Sequence, residues 1–220
     1  MGLFDLEYQL LLNRYKKWRE LGTGLANKII KEAPYEVVLE AAGELRMLSK
    51  NRTIVFKYES ESAYLMDRIV FDMEWDGKRG VEHYFAKYKD TLSIREQRIL
   101  EAMIGSNYSL FRAEEIKKGV GVDIVDVFSQ EKLFLCDVNM SNTIPNGCLM
   151  SCRIISIDNL YFTSGSTCVF EGEMLGKLKD NFINLFKNKK GVLTWQQMMR
   201  KYNPYFFRTM RQSGRQIFFQ

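Results

Sequence analysis

The hydrophobic period of the chain changes near residue 105, and that change restricts the fold more than any other feature. Before it, apolar side chains recur every three or four residues. After it, they fall in short β-branched and aromatic runs with turn residues between them. Leu3, Leu6, Tyr8, Leu10, Leu11, Leu12, Tyr15 and Trp18 make one helical stripe, with Arg14, Lys16, Lys17, Arg19 and Glu20 on the wet face. Gly22 and Gly24 are expected to end that helix, which resumes briefly over 25–31. Pro34 suits a first helical position ahead of Val37, Val38, Ala41, Leu45 and Leu48. Further helices are expected over about 59–73 and 80–88. Ser93 and Glu96 form a capping box that opens a fifth, carrying Ile94, Ile99, Leu100, Met103 and Ile104, and Gly105 stops it.

Five strands are expected next, over 109–116, 121–128, 132–138, 147–157 and 160–170, with 139–146 as a loop. Their number and size are those of a small barrel or strongly coiled sheet. Period two places Cys148 and Cys152 on one face. Helical spacing returns at Met174, Leu178, Phe182 and Phe186, breaks at Lys189-Lys190-Gly191, and resumes from Thr194 through Tyr202. The fold class is therefore α+β. A helical part (1–105) precedes a small five-stranded antiparallel, barrel-like β module (106–170), and C-terminal helices (171–220) pack back on the body. The wide apolar stripes of the first and last parts suggest one helical body around the β insert.

Charge is distributed unevenly. The net +5 (32 Lys and Arg against 27 Asp and Glu) conceals a segment, 171–220, with ten basic and three acidic side chains, net +7, which leaves −2 for residues 1–170. The same segment holds nine aromatic rings. Interleaved cations and rings can neutralise phosphates and stack bases. That chemistry nominates Lys187, Lys189, Lys190, Arg200, Lys201, Arg208, Arg211 and Arg215 as nucleic-acid contacts. The competing reading puts Phe182, Phe186 and Trp195, at helical spacing, in the core and leaves the charges as a solvated face. Two partner classes stay open: a nucleic acid or ribonucleoprotein, and a protein that contacts the β module or Phe206-Phe207.

Catalytic motifs are scarce. His83 is the single histidine, and the chain has no Gly-x-Ser-x-Gly elbow, Walker loop, dinucleotide fingerprint or His-Glu-x-x-His. A cysteine–histidine nucleophile would have to join His83 to Cys136, Cys148, Cys152 or Cys168 across the fold. Asp72, Glu74, Asp76 and Gly77 imitate the start of a calcium loop, yet Arg79 and His83 stand where an apolar residue and a bidentate Glu belong. A connection between two helices is the preferred reading there. The cysteines lack a Cys-x-x-Cys knuckle, so separately packed thiols are preferred to zinc. Thr163-Ser-Gly-Ser-Thr167 reads as a turn or bulge rather than a phosphate cradle.

No metal or cofactor is expected, and the reading leans away from an enzyme toward a binding or adaptor module. No window holds the 18 or more apolar residues of a membrane span, and 1–12 lacks a signal peptide's basic start. A cytoplasmic setting with reduced thiols is the expectation.

Residues from about 75 to 170 also resemble a segment of uncharacterised bacterial proteins that often carry a zinc-binding SEC-C motif. The similar pieces are Ser93-Ile-Arg-Glu-Gln-Arg98, Ser109-Leu-Phe111, Gly121-Val-Asp-Ile-Val-Asp126, Gly147 ahead of the Arg153 strand, and Ser164-Gly165. They cover under half of the chain. The SEC-C motif itself is absent here, so the resemblance implies a bacterial cytosolic setting and carries over neither metal nor catalytic residues.

Overall fold

The first helix, α1 (Leu3–Glu32), runs through Gly22 and Gly24 without a break, contrary to the stop expected there. Each glycine costs an exposed helix about 1 kcal/mol relative to alanine. Packing overrides that preference, because Leu25 and Ile29 beyond them are buried. Gly22 faces α5 (Ile94–Ile104): a Cβ there would stand 3.6 Å from Ile99, in ordinary van der Waals contact. Between them come α2 (Tyr35–Glu44), α3 (Glu61–Phe71) and α4 (Gly80–Tyr88). The structure, a computed structural model, describes residues 3–187 and 191–213. The chain divides into two compact units, and the helices α1–α5 belong to the first, with 155–159 and 164–166.

The connection between α3 and α4 is a β-hairpin, not a plain turn. Two-residue strands β1 (Glu74–Trp75) and β2 (Lys78–Arg79) pair antiparallel around Asp76 and Gly77, whose φ angles are 52° and 74°. Two consecutive left-handed residues are what a tight hairpin turn requires, and Asp-Gly supplies them at low cost. The carboxylates that imitate a calcium loop are thereby spread along a ribbon. Arg79, 3% exposed, donates to the carbonyl oxygens of Phe71 (3.5 Å) and Ile104 (3.0 Å) and pairs with Glu82 at 2.6 Å. One guanidinium thus satisfies carbonyls at the ends of α3 and α5.

The second unit comprises 107–154, 160–163 and 167–220. Its strands β3 (Asn107–Lys117), β4 (Gly121–Asp126), β5 (Lys132–Cys136), β6 (Leu149–Ile157) and β7 (Leu160–Phe170) close into a barrel in the order β3-β4-β5-β7-β6. The barrel corrects the expectation of an antiparallel module, since β5 and β7 pair in parallel at Leu135 and Tyr161. The reason is parity: five strands in a closed ring cannot alternate direction all the way round. A short helix, α6 (Val138–Thr143), lies where a loop is expected. Asp137 caps it by accepting from the Met140 N–H at 3.0 Å. Met140 and Ile144 join Phe111, Val122, Ile124, Leu135, Met150 and Cys152 in the barrel core. This strand order, with a helix between the third and fourth strands, is the connectivity of an OB-fold.

The helices α7 (Leu175–Phe186), α8 (Trp195–Tyr202) and α9 (Pro204–Ser213) group with the barrel rather than with α1–α5. An aromatic chain accounts for this. Phe182 stacks on Phe206 at 4.9 Å, Phe206 on the strand residue Tyr108 at 6.3 Å, and the fully buried Arg153 lies 5.5 Å from the Tyr108 ring. Trp195 meets Phe186 and Phe128 edge-on at 5.4 and 5.0 Å. Each such ring pair adds about 1 kcal/mol beyond burial.

Two glycines give opposite tests of this packing. A Cβ on Gly121 would lie 2.2 Å from the Leu135 carbonyl oxygen and 2.8 Å from the Phe134 ring, whereas one on Gly24 would meet nothing within 4 Å. Gly121→Ala is expected to destabilise the barrel by about 2 kcal/mol, through forced separation of β4 and β5. Gly24→Ala is expected to stabilise by about 1 kcal/mol. Urea unfolding followed by circular dichroism checks both, and equal midpoints for the two variants would contradict the packing described.

Candidate nucleic-acid interface

The outer surface of β3, β4 and β5 is set by register. Arg112 faces Val125, Val125 faces Lys132, Asp123 faces Phe134, and Lys117 faces Gly121. Gly121 leaves room for the Phe134 ring to lie across the strand backbone. The ring is half-buried, with the Lys117 ammonium 5.0 Å from its centroid. Lys117 also pairs with Asp123 at 3.7 Å. Glu114 joins Arg112 at 3.0 Å and Lys132 at 3.4 Å, and hydrogen bonding from Arg112 leads the contributions that hold its carboxyl below the usual range. Lys118, in the β3–β4 turn, is exposed and makes no hydrogen bond or ion pair among the described residues. The face therefore offers one ring with a cation beside it, a free lysine at its edge, and two ion-paired clusters.

The C-terminal cations divide into three groups. Lys189, Lys190 and Arg215 lie outside the described residues. Lys187 ends α7 and is exposed. Lys201, also exposed, lies over the Tyr202 ring at 5.8 Å. Arg200, Arg208 and Arg211 are half-buried and engaged within the protein. Phe182, Phe186, Phe206 and Phe207 are buried, so the rings at helical spacing form core and are closed to bases. Trp195 is 39% exposed. Sequence reasoning passed over Phe134. Its pairing partner Asp123 and the glycine beneath it come from another strand, and only the register brings them together.

The cysteines considered for chemistry are buried, and His83 belongs to the other unit. All four cysteines are free and buried. Burial pushes the Cys136 thiol up to about 12 and the Cys148 thiol up to about 11, far from the thiolate that nucleophilic work needs. His83 belongs to the helical unit, 3.6 Å from the Asp76 carboxylate and beside the Trp75 ring. Thr163 donates to Asp137 at 3.1 Å, and the Thr163–Thr167 stretch lies inside β7 with Gly165 at φ 105°. Among the described residues no three metal-ligating side chains cluster, and no helix is long and apolar enough to cross a membrane.

A groove lies wholly in the helical unit. It has a volume of about 840 Å³ and is walled by α1, the first turn of α5 and the β6–β7 turn at Asp158. Its charged lining is Arg14, Lys17, Lys28, Arg95 and Arg98 against Glu20, Glu96 and Asp158.

The sequence pattern of a family of unknown function (DUF7986) matches residues 9–220, and the chain belongs to that family. No curated protein and no solved structure matches the chain.

Thiol chemistry gives a direct check on the barrel interior. With the native protein at pH 8, a disulfide reagent such as Ellman's is expected to leave all four cysteines unmodified, and to titrate all four once urea unfolds the chain. A thiol that reacts in the native state as fast as free cysteine would contradict the burial.

Proposed function

We propose that this member of the DUF7986 family is a non-enzymatic protein that binds single-stranded nucleic acid on the outer face of its barrel. The observation that carries the reading is an OB-type barrel lying in the basic unit of the molecule. Barrels of this connectivity bind oligonucleotides and oligosaccharides on the second and third strands and the adjoining loops. Here those strands are β4 and β5; Lys117 ends the first strand, and Lys118 lies in the loop between the first two. The barrel unit contains 15 basic and 9 acidic side chains, net +6, which leaves 17 against 18, net −1, for the helical unit. Fold alone does not assign function, and this charge difference is what favours a phosphate-bearing partner over an uncharged sugar.

Phe134 is the stacking platform in this reading, with Lys117 and Lys118 following the phosphates. Lys187, Lys189, Lys190, Arg200, Lys201, Arg208, Arg211 and Arg215, all in the same unit, supply long-range attraction. The charges on the barrel face are largely paired with one another, so few phosphates are neutralised there. Two or three contacts give a salt slope of roughly −2 on a logarithmic plot, shallow for a nucleic-acid binder. The bacterial cytosol is the setting we propose, supported by four free buried cysteines.

Fluorescence anisotropy with a labelled oligothymidylate tests the reading. Phe134→Ala is expected to weaken binding by about tenfold, in line with loss of one base–aromatic stack. Lys118→Glu, a substitution at an exposed and unpartnered side chain, is expected to weaken it without changing the unfolding midpoint. Failure to bind at low salt, or binding that neither variant alters, would overturn the proposal.

A further inference from the structure

We propose that the groove between α1 and the first turn of α5 is a second site, which binds a phosphate group. Arg14, Lys17, Trp18, Leu21, Gly24 and Lys28 recur at helical spacing, so they share one face of α1. Arg14 and Lys17 are three residues apart, and so are Arg95 and Arg98 on α5. Two like-charged neighbours on each helix therefore line one cavity. Like charges at this spacing oppose helix formation, so the pattern makes no sense as a stabilising device.

The carboxylates of the groove do not cancel it. Asp158 pairs with Arg98, and its backbone carbonyl accepts from Arg14 at 2.6 Å, which leaves the Arg14 charge uncompensated. Glu96 is taken by the Ser93 backbone N–H and hydroxyl, and by Lys28 at 3.6 Å. The hydrogen bond from the Ser93 backbone leads the contributions that hold its carboxyl below the usual range, so it stays ionised and committed. Glu20 is the one remaining acid of the lining, and among the described residues it makes no hydrogen bond or ion pair. Lys17 and Arg95 are exposed, and among the described residues neither makes a hydrogen bond or an ion pair.

Three cations with unspent charge (Arg14, Lys17 and Arg95) thus face one acid across a cavity of about 840 Å³. Gly24 also lines the cavity, and nothing lies within 4 Å of where its Cβ would be. Guanidinium forks match phosphate oxygens two at a time, and the lysine adds a point charge. The Trp18 ring, half-buried in the groove with the Arg98 guanidinium 5.7 Å from its centroid, gives a flat surface beside the anion position. The site is confined to the helical unit and does not depend on the barrel reading.

Isothermal titration of the full chain with inorganic phosphate, with AMP and with a short oligothymidylate tests the site and separates the sources of the phosphate. Binding of one or more of these is expected, and Lys17→Ala/Arg95→Ala is expected to weaken it by about tenfold or more. Both side chains are exposed and unpartnered, so the unfolding midpoint of that variant should match the parent. Lys16→Ala, an exposed change on α1 outside the groove, and Phe134→Ala should leave phosphate and AMP binding unchanged. Tighter binding of AMP than of phosphate assigns a nucleotide, and tightest binding of the oligonucleotide by the Phe134→Ala variant assigns a strand. Absence of phosphate and AMP binding at about 10 mM ligand, or binding of either that the double variant does not weaken, would overturn the site. Loss of oligonucleotide binding in Phe134→Ala alone would leave it standing and support the barrel reading separately.

Discussion

Closing five strands into one ring fixes much of the barrel unit. An odd ring must contain a parallel pair, and here it is β5 with β7. Strands that pair in parallel cannot be joined by a tight turn, so the chain has to leave β5, place β6 elsewhere and return. The segment that leaves is α6, and its Met140 and Ile144 close the core that the strands alone would leave open. The return is the β6–β7 hairpin, whose turn residues Asp158 and Asn159 both have positive φ. The same closure puts β4 and β5 side by side with Gly121 under Phe134, and so creates the surface on which the functional proposal rests.

Burial of Arg153 is the second constraint. A guanidinium removed from water needs compensation, and its place beside the Tyr108 ring, with the Tyr108 hydroxyl 3.2 Å from the Ser151 hydroxyl, makes that strand pair polar at its centre. The rings of α7, α8 and α9 then cover it. Among the described residues of this basic segment, Phe182, Phe186, Phe206 and Phe207 lie inside the unit, whereas Lys187 and Lys201 are exposed.

Local signals in the sequence led to correct elements where one interaction decided the outcome. Ser93 and Glu96 exchange the hydrogen bonds of a capping box, and α5 begins there. The β-branched and aromatic runs after residue 105 are strands, and β6 is buried on both faces almost throughout. Where a distant partner decided, the local signal misled. Gly22 reads as a helix stop, but the burial of Leu25 and Ile29 beyond it carries the helix on. Asp76-Gly77 is a strong hairpin turn whose neighbouring carboxylates draw attention to cation chemistry instead. Val138–Thr143, rich in Asn, Ser and Thr, has little helical propensity and is ordered by the Asp137 cap and the barrel floor. Lys17 and Arg95 stand far apart in sequence, and nothing in either neighbourhood announces the other.

The β6–β7 turn has a consequence for how the chain is made. Residues 155–159 and 164–166 belong to the helical unit although they follow most of the barrel in sequence. Asp158 receives Arg98 and Arg14, so the N-terminal helices cannot complete their contacts when residue 106 leaves the ribosome. At translation speeds of about 5–20 residues per second, that interval lasts roughly 3–12 s. The helical unit, although it begins the chain, is therefore among the last parts of the molecule to be completed.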